Sequence, residues 1–291
     1  MCGIISVMMD YYSRAKYFRT KKHLGQNFLI NGEIIRDIIK FADISATDTV
    51  VEIGAGVGFV TEQLVKHAKN VIAIEIDADA VKELQKLNAP NLKIIHKDIL
   101  KTDLPELCEE KIKVVVNIPY YITSPIIAHL LGEVDDLNNK NRNKITDIIL
   151  MVQEEVAQRM TADENSPSKQ YGLLTILSQF WANVEIIKFV GRKSFYPVPK
   201  VNSALVKLTV RKKPLLDDLS DYTHFRKTVK AAFSQRRKNI KNCLLSSGFT
   251  KENIQNSLIA LGLEENIRGE KLSIETFGKL SEELKNGAKQ P

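Results

Sequence analysis

The stretch VVEIGAGVGF, residues 50–59, decides the fold class of this chain. An apolar, strand-like run leads into glycines at alternate positions, Gly54, Gly56 and Gly58. Glycines let the backbone turn sharply and approach a ligand that any Cβ would push away. The G-x-G-x-G spacing differs from the G-x-G-x-x-G fingerprint of dinucleotide-binding folds. It therefore favours a nucleoside without a diphosphate, bound at Gly54 and Gly56; the alternative is a tight turn that binds nothing.

Strand-like and helical patterns alternate along the chain around this stretch. Such alternation predicts βαβ units and a parallel sheet, and the continuous apolar character of the strands fits a sheet buried on both faces. The predicted strands are 49–53, 71–76, 92–96, 113–117, 147–152, 184–190 and 201–210. The predicted helices of the same region are 31–42, 60–68, 78–87 and 171–182. The fold class is therefore predicted to be α/β.

The segment RKKPLLDDLSD, residues 211–221, reads as a domain boundary because it joins a basic run, a proline and an acidic cluster. Beyond it the patterns are helical only, near 222–247, 251–261 and 273–286. At the other end, YYSRAKYFRTKK (11–22) has five basic residues and no acidic one, which predicts a mobile arm. The predicted parts are a basic arm (1–22), an α/β domain (23–211) and a small all-helical domain (212–291).

Composition limits the classes of partner. The formal net charge is +7 and the pI is near 9.1, which favours nucleic acid first and a membrane surface second. Three cysteines without a C-x-x-C pair, and histidines without ligand spacing, predict no metal site and a reducing, cytoplasmic location. No run approaches the ~20 apolar residues that cross a bilayer. The apolar start MCGIISVMM lacks the basic region of a secretory signal, and translation is expected to begin at Met8 or Met9.

Two acidic residues end the strands that follow the glycine turn. Glu75 lies 21 residues after Gly54, where a carboxylate can accept hydrogen bonds from both ribose hydroxyls. Asp98 ends the third strand, where it could accept a bond from an adenine amine. Ligands of open α/β sheets bind beyond the carboxyl ends of the strands. Each acid alone reads as a solvated strand end, but together with Asn117 after the fourth strand they predict a nucleoside site.

The tetrapeptide Asn117-Ile118-Pro119-Tyr120 predicts an acceptor site for an adenine. An adenine amine is a poor nucleophile because its lone pair is conjugated into the ring. The Asn117 amide oxygen and the Pro119 carbonyl can accept its two protons and aim the lone pair at an electrophilic methyl group. Tyr120 offers a stacking face for a flipped base. Asparagine cannot act as a general base, so the pattern predicts direct transfer by orientation and electrostatics; the alternative is a strand-ending turn.

A second aromatic and proline-rich stretch, FYPVP at 195–199, predicts another wall of the acceptor site. Phe195 would cover the other face of the base. The alternative is a stiff, polyproline-like linker.

These residues match a known family, and the match extends in order over nearly the whole chain. The chain resembles the rRNA adenine N6,N6-dimethyltransferases, most closely the bacterial small-subunit branch associated with kasugamycin sensitivity. The matching segments are KKHLGQNFL (21–29), VVEIGAGVGFVTEQL (50–64), IEID (74–77), KDIL (97–100), NIPYYITSPII (117–127), FYPVPKVNSALVKL (195–208) and FSQRRKNIKNCL (233–244).

The resemblance implies a Rossmann-like class I methyltransferase fold with S-adenosylmethionine as methyl donor. It implies donor contacts from Asn27 and Leu29 in the GQNFL segment, and from Gly54, Glu75, Asp98 and Asn117. It also implies that the substrate is a pair of adjacent adenosines in the 3′-terminal hairpin loop of 16S rRNA, each methylated twice. The implied partner is the assembling 30S subunit, and a monomer is expected.

Two alternatives stay open within the resemblance. The first is a 23S rRNA methyltransferase of macrolide resistance, because these enzymes often have Ile at the position of Ile118, whereas many small-subunit enzymes have Leu. The SQRRK segment (234–238) and the longer helical tail are typical of the small-subunit branch instead. The other alternative is a non-catalytic ribosome-assembly or transcription factor that keeps the fold as a scaffold.

A basic segment in the C-terminal domain predicts an RNA-binding surface. Residues 223–242 carry seven basic residues and no acidic one. On one continuous helix of about 100° per residue, the cationic stripe would comprise Arg226, Lys230, Arg237 and Lys241, flanked by Lys227 and Lys238. The adjacent arc, expected to face the core, would comprise Phe225, Val229, Phe233 and Ile240, with Arg236 among them and partly buried. The alternative is a solvated helix face. If residues 223–242 bind RNA, they are expected to surround the opening of the catalytic site together with residues 188–213 and the N-terminal arm.

Overall fold

The computed structural model describes residues 11–21, 24–235 and 237–287. Its strands are β1 (Phe28–Leu29), β2 (Thr49–Ile53), β3 (Asn70–Glu75), β4 (Leu92–His96), β5 (Ile112–Asn117), β6 (Ile145–Gln153), β7 (Ala182–Val190), β8 (Phe195–Tyr196) and β9 (Ser203–Val210). Its longer helices are α1 (Gly32–Phe41), α2 (Thr61–His67), α3 (Ala78–Gln85), α4 (Thr123–Leu131), α5 (Glu154–Met160), α6 (Leu173–Trp181), α7 (Tyr222–Ala232), α8 (Ile240–Ser246), α9 (Lys251–Ala260) and α10 (Ile274–Gly287).

In the described part of the chain, seven strands form one sheet in the order β4-β3-β2-β5-β6-β9-β7. The strands from β4 to β6 pair in parallel, and β9 runs antiparallel to β6. All five residues of β2 are buried, as expected for a sheet covered on both faces. The carboxyl ends of β2, β3, β4 and β5 therefore share one edge. The α/β class and a mostly parallel sheet, predicted from sequence, are confirmed.

All seven predicted strands, and the four helices predicted with them, are present with ends shifted by a few residues. Helix α1 begins where predicted, because the Asn31 side chain accepts a hydrogen bond from the Glu33 backbone N–H at 3.0 Å. Its isoleucines, Ile34, Ile35, Ile38 and Ile39, are buried in the core. The short strands β1 and β8 and the helices α4 and α5 were not predicted.

The N-terminal segment differs from the predicted mobile arm. Residues 11–17 are helical, and Tyr11 and Ala15 are buried. The Arg14 guanidinium lies 4.9 Å from the centre of the Phe59 ring and forms an ion pair with Glu62 at 2.5 Å. These residues are therefore docked on the α/β core. The remainder of the predicted arm and the expected start at Met8 or Met9 lie outside the described residues.

A single helix over 222–247 was predicted, and that prediction is wrong. Helix α7 ends at Ala232 and α8 begins at Ile240. The Asn239 side chain caps α8 by accepting a hydrogen bond from the Asn242 backbone N–H at 2.9 Å. Asparagine at a cap competes with continuing the helix, which explains the break between the two helices.

The chain divides into two compact units. The first comprises Met1–Leu131, Asn138–Ala157 and Asn183–Val210, and contains the sheet. The second comprises Gly132–Leu137, Gln158–Ala182 and Arg211–Pro291. The predicted boundary after residue 211 left 132–137 and 158–182 with the α/β domain. In the structure they join the helical unit, because the Phe180 ring stacks on Phe225 with centroids 5.4 Å apart and Glu133 forms an ion pair with Arg226.

The helices that the structure describes include none with the length and apolar character to cross a membrane.

Candidate active site

A cavity of about 220 Å³ lies in the first unit. The residues proposed from sequence for the donor and acceptor sites all line it: Asn27, Leu29, Gly54, Gly56, Glu75, Asp98, Asn117, Pro119, Tyr120 and Phe195. Most come from the shared edge where parallel strands end. The structure thus brings together residues that are far apart in the sequence.

The glycine turn after β2 has a conformation and a close approach that both require glycine. Gly54 has φ 75° and Gly56 has φ 55°, in the left-handed region that other residues rarely adopt. A Cβ at Gly54 would stand 2.7 Å from the Asn117 carbonyl oxygen, and one at Gly56 would stand 2.9 Å from the Phe28 ring. The turn therefore lies against the neighbouring strand end with no room for a side chain.

Glu75 at the end of β3 binds the glycine turn directly. One carboxylate oxygen, Oε2, accepts the Gly56 N–H at 2.7 Å. The other, Oε1, accepts the N–H groups of Ile76 and Asp77, both at 2.9 Å. Burial raises the pKa of Glu75, although these three hydrogen bonds oppose the rise. A carboxylate has about four acceptor positions, so the one left on Oε2 can receive a ligand hydroxyl.

Asp98 after β4 caps a short helical turn. Its Oδ1 accepts the Leu100 N–H at 3.0 Å, and the side chain is half-buried at the cavity wall. Among the described residues Oδ2 receives no hydrogen bond. That oxygen is available to accept a hydrogen bond from an amine.

Asn117, the last residue of β5, presents an amide without a partner. Its side chain lines the cavity and makes no hydrogen bond within the described ranges. Two residues on, the Pro119 carbonyl accepts the Ile122 N–H at 3.3 Å, which leaves it room for a second donor. An amide oxygen and a carbonyl oxygen are thus available at the cavity within one turn of chain.

Tyr120 is held at both ends. Its backbone carbonyl accepts the Thr123 hydroxyl at 3.0 Å, and its phenolic oxygen lies 2.5 Å from the Ser203 hydroxyl. Burial raises the pKa of the Tyr120 phenol, so it is neutral at ordinary pH. The ring is therefore a fixed wall of the cavity.

The short strands β1 and β8 pair with each other and form two further parts of the cavity wall. Strand β1 pairs with β8, so that Phe28 faces Tyr196 and Leu29 faces Phe195. This pairing explains how the GQNFL segment and the FYPVP stretch, far apart in the sequence, line one cavity. Phe195 is buried and therefore supplies a packed wall.

Polar contacts tie the segment before β1 to the end of β3. The Gln26 amide donates to Asp77 at 2.7 Å, and the Lys21 ammonium binds Asp77 and also Asp79, the latter at 2.8 Å. We call Lys21, Gln26 and Asp77 the latch. Although burial opposes it, the hydrogen bonds from Lys21 and Gln26 hold the pKa of Asp77 below its usual value. Sequence reasoning missed the latch; the only signal was the acid at the end of the IEID motif.

Glu52 in β2 is a second buried acid that sequence reasoning left without a role. Its side chain is fully buried, and its Oε2 accepts the Thr61 hydroxyl at 2.6 Å. Burial raises the pKa of this carboxyl to about 8. Glu52 is therefore protonated at neutral pH and bonds the first residue of α2 as a neutral group.

The basic residues proposed to bind RNA do not form the predicted stripe, because the helix that would carry it is broken. The Arg226 guanidinium lies 3.1 Å from Glu133 and 3.4 Å from Asp135. Lys230 pairs with Glu133 at 3.8 Å, and Lys241 with Glu265. These cations are therefore already neutralised by acids of the same unit.

Three of the proposed cations are exposed and form no ion pair within the described residues. The Lys227 ammonium lies 4.7 Å above the Phe249 ring. Arg237 and Lys238 lie in the turn between α7 and α8 and have no acidic partner within the described residues. In the apolar arc, Phe225, Val229 and Ile240 are buried as predicted, whereas Phe233 is half-buried. The prediction for Arg236 lies outside the described residues.

Across the part of the chain that the structure describes, no cluster of three His, Cys, Asp or Glu side chains has the arrangement of a metal site.

Comparison with known proteins gives a consistent result. Residues 17–286 match the model of the family described as ribosomal RNA adenine dimethylase. The chain is 44% identical over 271 residues to "Ribosomal RNA small subunit methyltransferase A" of Clostridium botulinum (strain Langeland / NCTC 10281 / Type F), covering 91% of this chain and 94% of that protein. It is 41% identical to the protein of the same name from Geobacillus kaustophilus (strain HTA426), with 92% of each chain covered.

Two solved structures resemble this one over most of its length. A dimethyladenosine transferase from Plasmodium falciparum superposes with a TM-score of 0.70 at 29% identity, covering 89% of this chain and 97% of that one. The 23S rRNA methyltransferase ErmE superposes with a TM-score of 0.66 at 27% identity, covering 89% and 99%. The fold is therefore that of the class I rRNA methyltransferases. Sequence, fold and cavity together place this chain in the ribosomal RNA adenine dimethylase family.

Proposed function

We propose that this protein transfers methyl groups from S-adenosylmethionine to N6 of two adjacent adenosines in the 3′-terminal hairpin loop of 16S rRNA, giving N6,N6-dimethyladenosines. The observation that carries the proposal is the unpartnered Asn117 amide beside the glycine turn in one cavity. Membership of the rRNA adenine dimethylase family and the names of the relatives support it. The assembling 30S subunit as partner, a cytoplasmic location and a monomeric state are parts of the same proposal.

The cavity fits the methyl donor. Gly54 and Gly56 line the cavity with backbone alone, and Glu75 keeps one acceptor position for a ribose hydroxyl. Asp98 Oδ2 offers an acceptor for the adenine amine, and Asn27 and Leu29 close the opposite wall. When bound there, S-adenosylmethionine supplies an electrophilic methyl group next to the end of β5.

The acceptor residues orient the amine. Asn117 Oδ1 and the Pro119 carbonyl accept hydrogen bonds from its two N–H groups before the first transfer, and one of them accepts the remaining N–H before the second, which favours a pyramidal nitrogen with its lone pair directed into the cavity. Tyr120 stacks on one face of the base, and Phe195 covers the other. As the carbon–nitrogen bond forms, the methyl–sulfur bond of the donor would break with its electron pair going to sulfur, and the proton would then leave to solvent, so no general base is required. The rate enhancement then comes from positioning and electrostatics.

The RNA-binding surface is proposed in a revised form. Lys227, Arg237 and Lys238 are exposed and contact phosphates directly. Arg226, Lys230 and Lys241 stay paired with acidic residues and do not contact phosphates. Sequence-independent phosphate contacts of this kind position the RNA, whereas the cavity selects the adenosine.

The experiment offers unmethylated small subunits and naked 23S rRNA in parallel to the purified protein with labelled S-adenosylmethionine, followed by nucleoside analysis. Dimethyladenosine on the small subunit alone supports the proposal. Label on 23S rRNA favours the second candidate, a 23S rRNA methyltransferase, to which the ErmE likeness and Ile118 point. Donor binding without label on either substrate favours a non-catalytic assembly or transcription factor.

The variant that tests the chemistry is Asn117→Ala. Loss of one charge-stabilising group of this kind costs about 10²- to 10³-fold in rate. Asn256→Ala is the matched control, because Asn256 is exposed on α9 and makes no hydrogen bond through its side chain in the described residues. Normal methylation by Asn117→Ala would show that orientation by this amide is not the mechanism.

A further inference from the structure

Ser203 lies outside the cavity and contacts one residue of the acceptor site, Tyr120. It is fully buried, and its hydroxyl lies 2.5 Å from the Tyr120 phenolic oxygen. Ser203 does not line the cavity. Its side chain is therefore linked to the acceptor site through Tyr120.

The direction of β9 explains why a strand begins at this edge. Strand β9 runs antiparallel to β6, with Ser203 opposite Gln153 at the carboxyl end of β6. Strand β6 in turn runs parallel to β5, with Asn117 opposite Met151. The amino end of β9 therefore reaches the same edge as the carboxyl ends of the parallel strands. The sheet carries the Ser203 hydroxyl to a fixed point beside the acceptor turn.

The phenolic contact restrains a ring that lacks other polar anchors on its side chain. The Thr123 hydroxyl holds the Tyr120 backbone, but this leaves the side chain free to change its rotamer about Cα–Cβ. The hydrogen bond to the phenolic oxygen fixes the position of the ring tip and so holds that torsion, while packing sets the tilt about Cβ–Cγ. Stacking depends on the offset and tilt of the two rings, so a base would meet a pre-aligned surface.

We propose that Ser203 is a positioning residue that holds the Tyr120 ring in the orientation for stacking on the target adenine. This inference rests on the proposed function, since it assumes that an adenine occupies the cavity. Removing the Ser203 hydroxyl lowers kcat/KM for the RNA by about five- to tenfold, the equivalent of one net hydrogen bond. The affinity for S-adenosylmethionine stays the same, because Ser203 lies outside the donor wall.

The test is a double-mutant cycle of wild type, Ser203→Ala, Tyr120→Phe and the double variant. Each protein is assayed for kcat and KM with unmethylated small subunits, for donor affinity by calorimetry and for thermal unfolding. If Ser203 acts through the phenol, the three variants lose the same factor and the effects do not add. Ser203→Thr, which keeps the hydroxyl, restores most of the activity.

A matched control separates positioning from general stability. Ser281→Ala removes another buried serine hydroxyl that bonds a ring, the His224 imidazole at 3.1 Å, in the second unit. It is expected to leave kcat/KM unchanged. The inference is overturned if Ser203→Ala is as active as wild type, if its effect adds to that of Tyr120→Phe, or if it weakens donor binding equally. A wild type that methylates no adenosine overturns the proposed function, and this inference with it.

Discussion

Gly54 and Asn117 are in such close contact that a Cβ on Gly54 would stand 2.7 Å from the Asn117 carbonyl oxygen. Gly54 follows β2 and Asn117 ends β5, and these neighbouring strands pair in parallel. The turn proposed to bind the donor and the residue proposed to orient the acceptor thus share one wall. A change in the backbone of either is transmitted directly to the other.

Substitution of Gly54 is expected to abolish donor binding. Gly54→Ala adds a methyl group that collides with Asn117 and strains a residue with φ 75°. Gly248→Ala is the control, because Gly248 has φ 88° but nothing within 4 Å of its Cβ position. The strain alone costs each variant about 1–2 kcal/mol of unfolding free energy. Calorimetry should find donor binding lost only for Gly54→Ala; equal affinities in the two variants would show that the close contact is unimportant.

The buried Glu52 carboxyl predicts a pH-dependent stability. Its pKa is about 8 in the folded protein, against an ordinary value of 4.5. Between these values the unfolded chain has released the proton while the folded protein retains it, so the free energy of unfolding falls as pH rises. The fall amounts to roughly a few kcal/mol and is complete above about pH 8.

Glu52→Gln removes this dependence, because an amide keeps an acceptor for the Thr61 hydroxyl but does not ionise. Urea unfolding at intervals from pH 5 to pH 9 measures it, with the exposed Glu252→Gln as control. Parallel pH profiles for wild type and Glu52→Gln would contradict the buried, protonated state. Burial raises the pKa of Glu75 as well, so a slope of the same sign remains in the variant.

Loosening the latch is expected to weaken donor binding without unfolding the protein. Gln26→Ala removes two hydrogen bonds of 2.7 Å, the one that its amide donates to Asp77 and the one that its Oε1 accepts from the Lys21 N–H, while the Lys21 side chain keeps its ion pair with Asp77. The dissociation constant for S-adenosylmethionine should rise at least about tenfold, since each net hydrogen bond contributes about 1 kcal/mol. Gln255→Ala, an exposed glutamine on α9, is the control. An unchanged dissociation constant with faster donor exchange would assign the latch a purely kinetic role.

The revised RNA surface predicts two kinds of basic residue. Arg237→Ala with Lys238→Ala should reduce the slope of log affinity against log salt by about 1.4, taking about 0.7 per phosphate contact on single-stranded RNA. Arg226→Ala should leave the slope unchanged and cost about 1 kcal/mol or less of stability, as for a partly exposed ion pair. Fluorescence anisotropy across a salt series measures both. A larger change of slope for Arg226→Ala would restore it as a direct contact.

The sequence predicted that Gly54, Glu75, Asp98 and Asn117 lie close together. Each ends or follows a strand of a parallel sheet, and the carboxyl ends of such strands share one edge. Ser203 was not predicted in this way, because β9 is antiparallel and its amino end lies at that edge. The latch was not predicted either, because the contact between Lys21 and Asp77 depends on tertiary packing and has no sequence pattern. Residues 222–247 carried a helical period with neither Gly nor Pro to mark the break, and only the Asn239 cap decides it.

The Asp77 contacts of the latch also bear on how the donor is exchanged between transfers. Asp77 caps α3 through the Asp79 N–H and also binds Lys21 and Gln26, so one carboxylate fastens both the helix and the segment over the cavity. Under the proposed function, four methyl groups reach one RNA loop, and each demands a fresh donor molecule. Should spent donor leave past Gln26, which lines the cavity, the contacts of this one carboxylate break and re-form between transfers, and the rate of donor exchange depends on them.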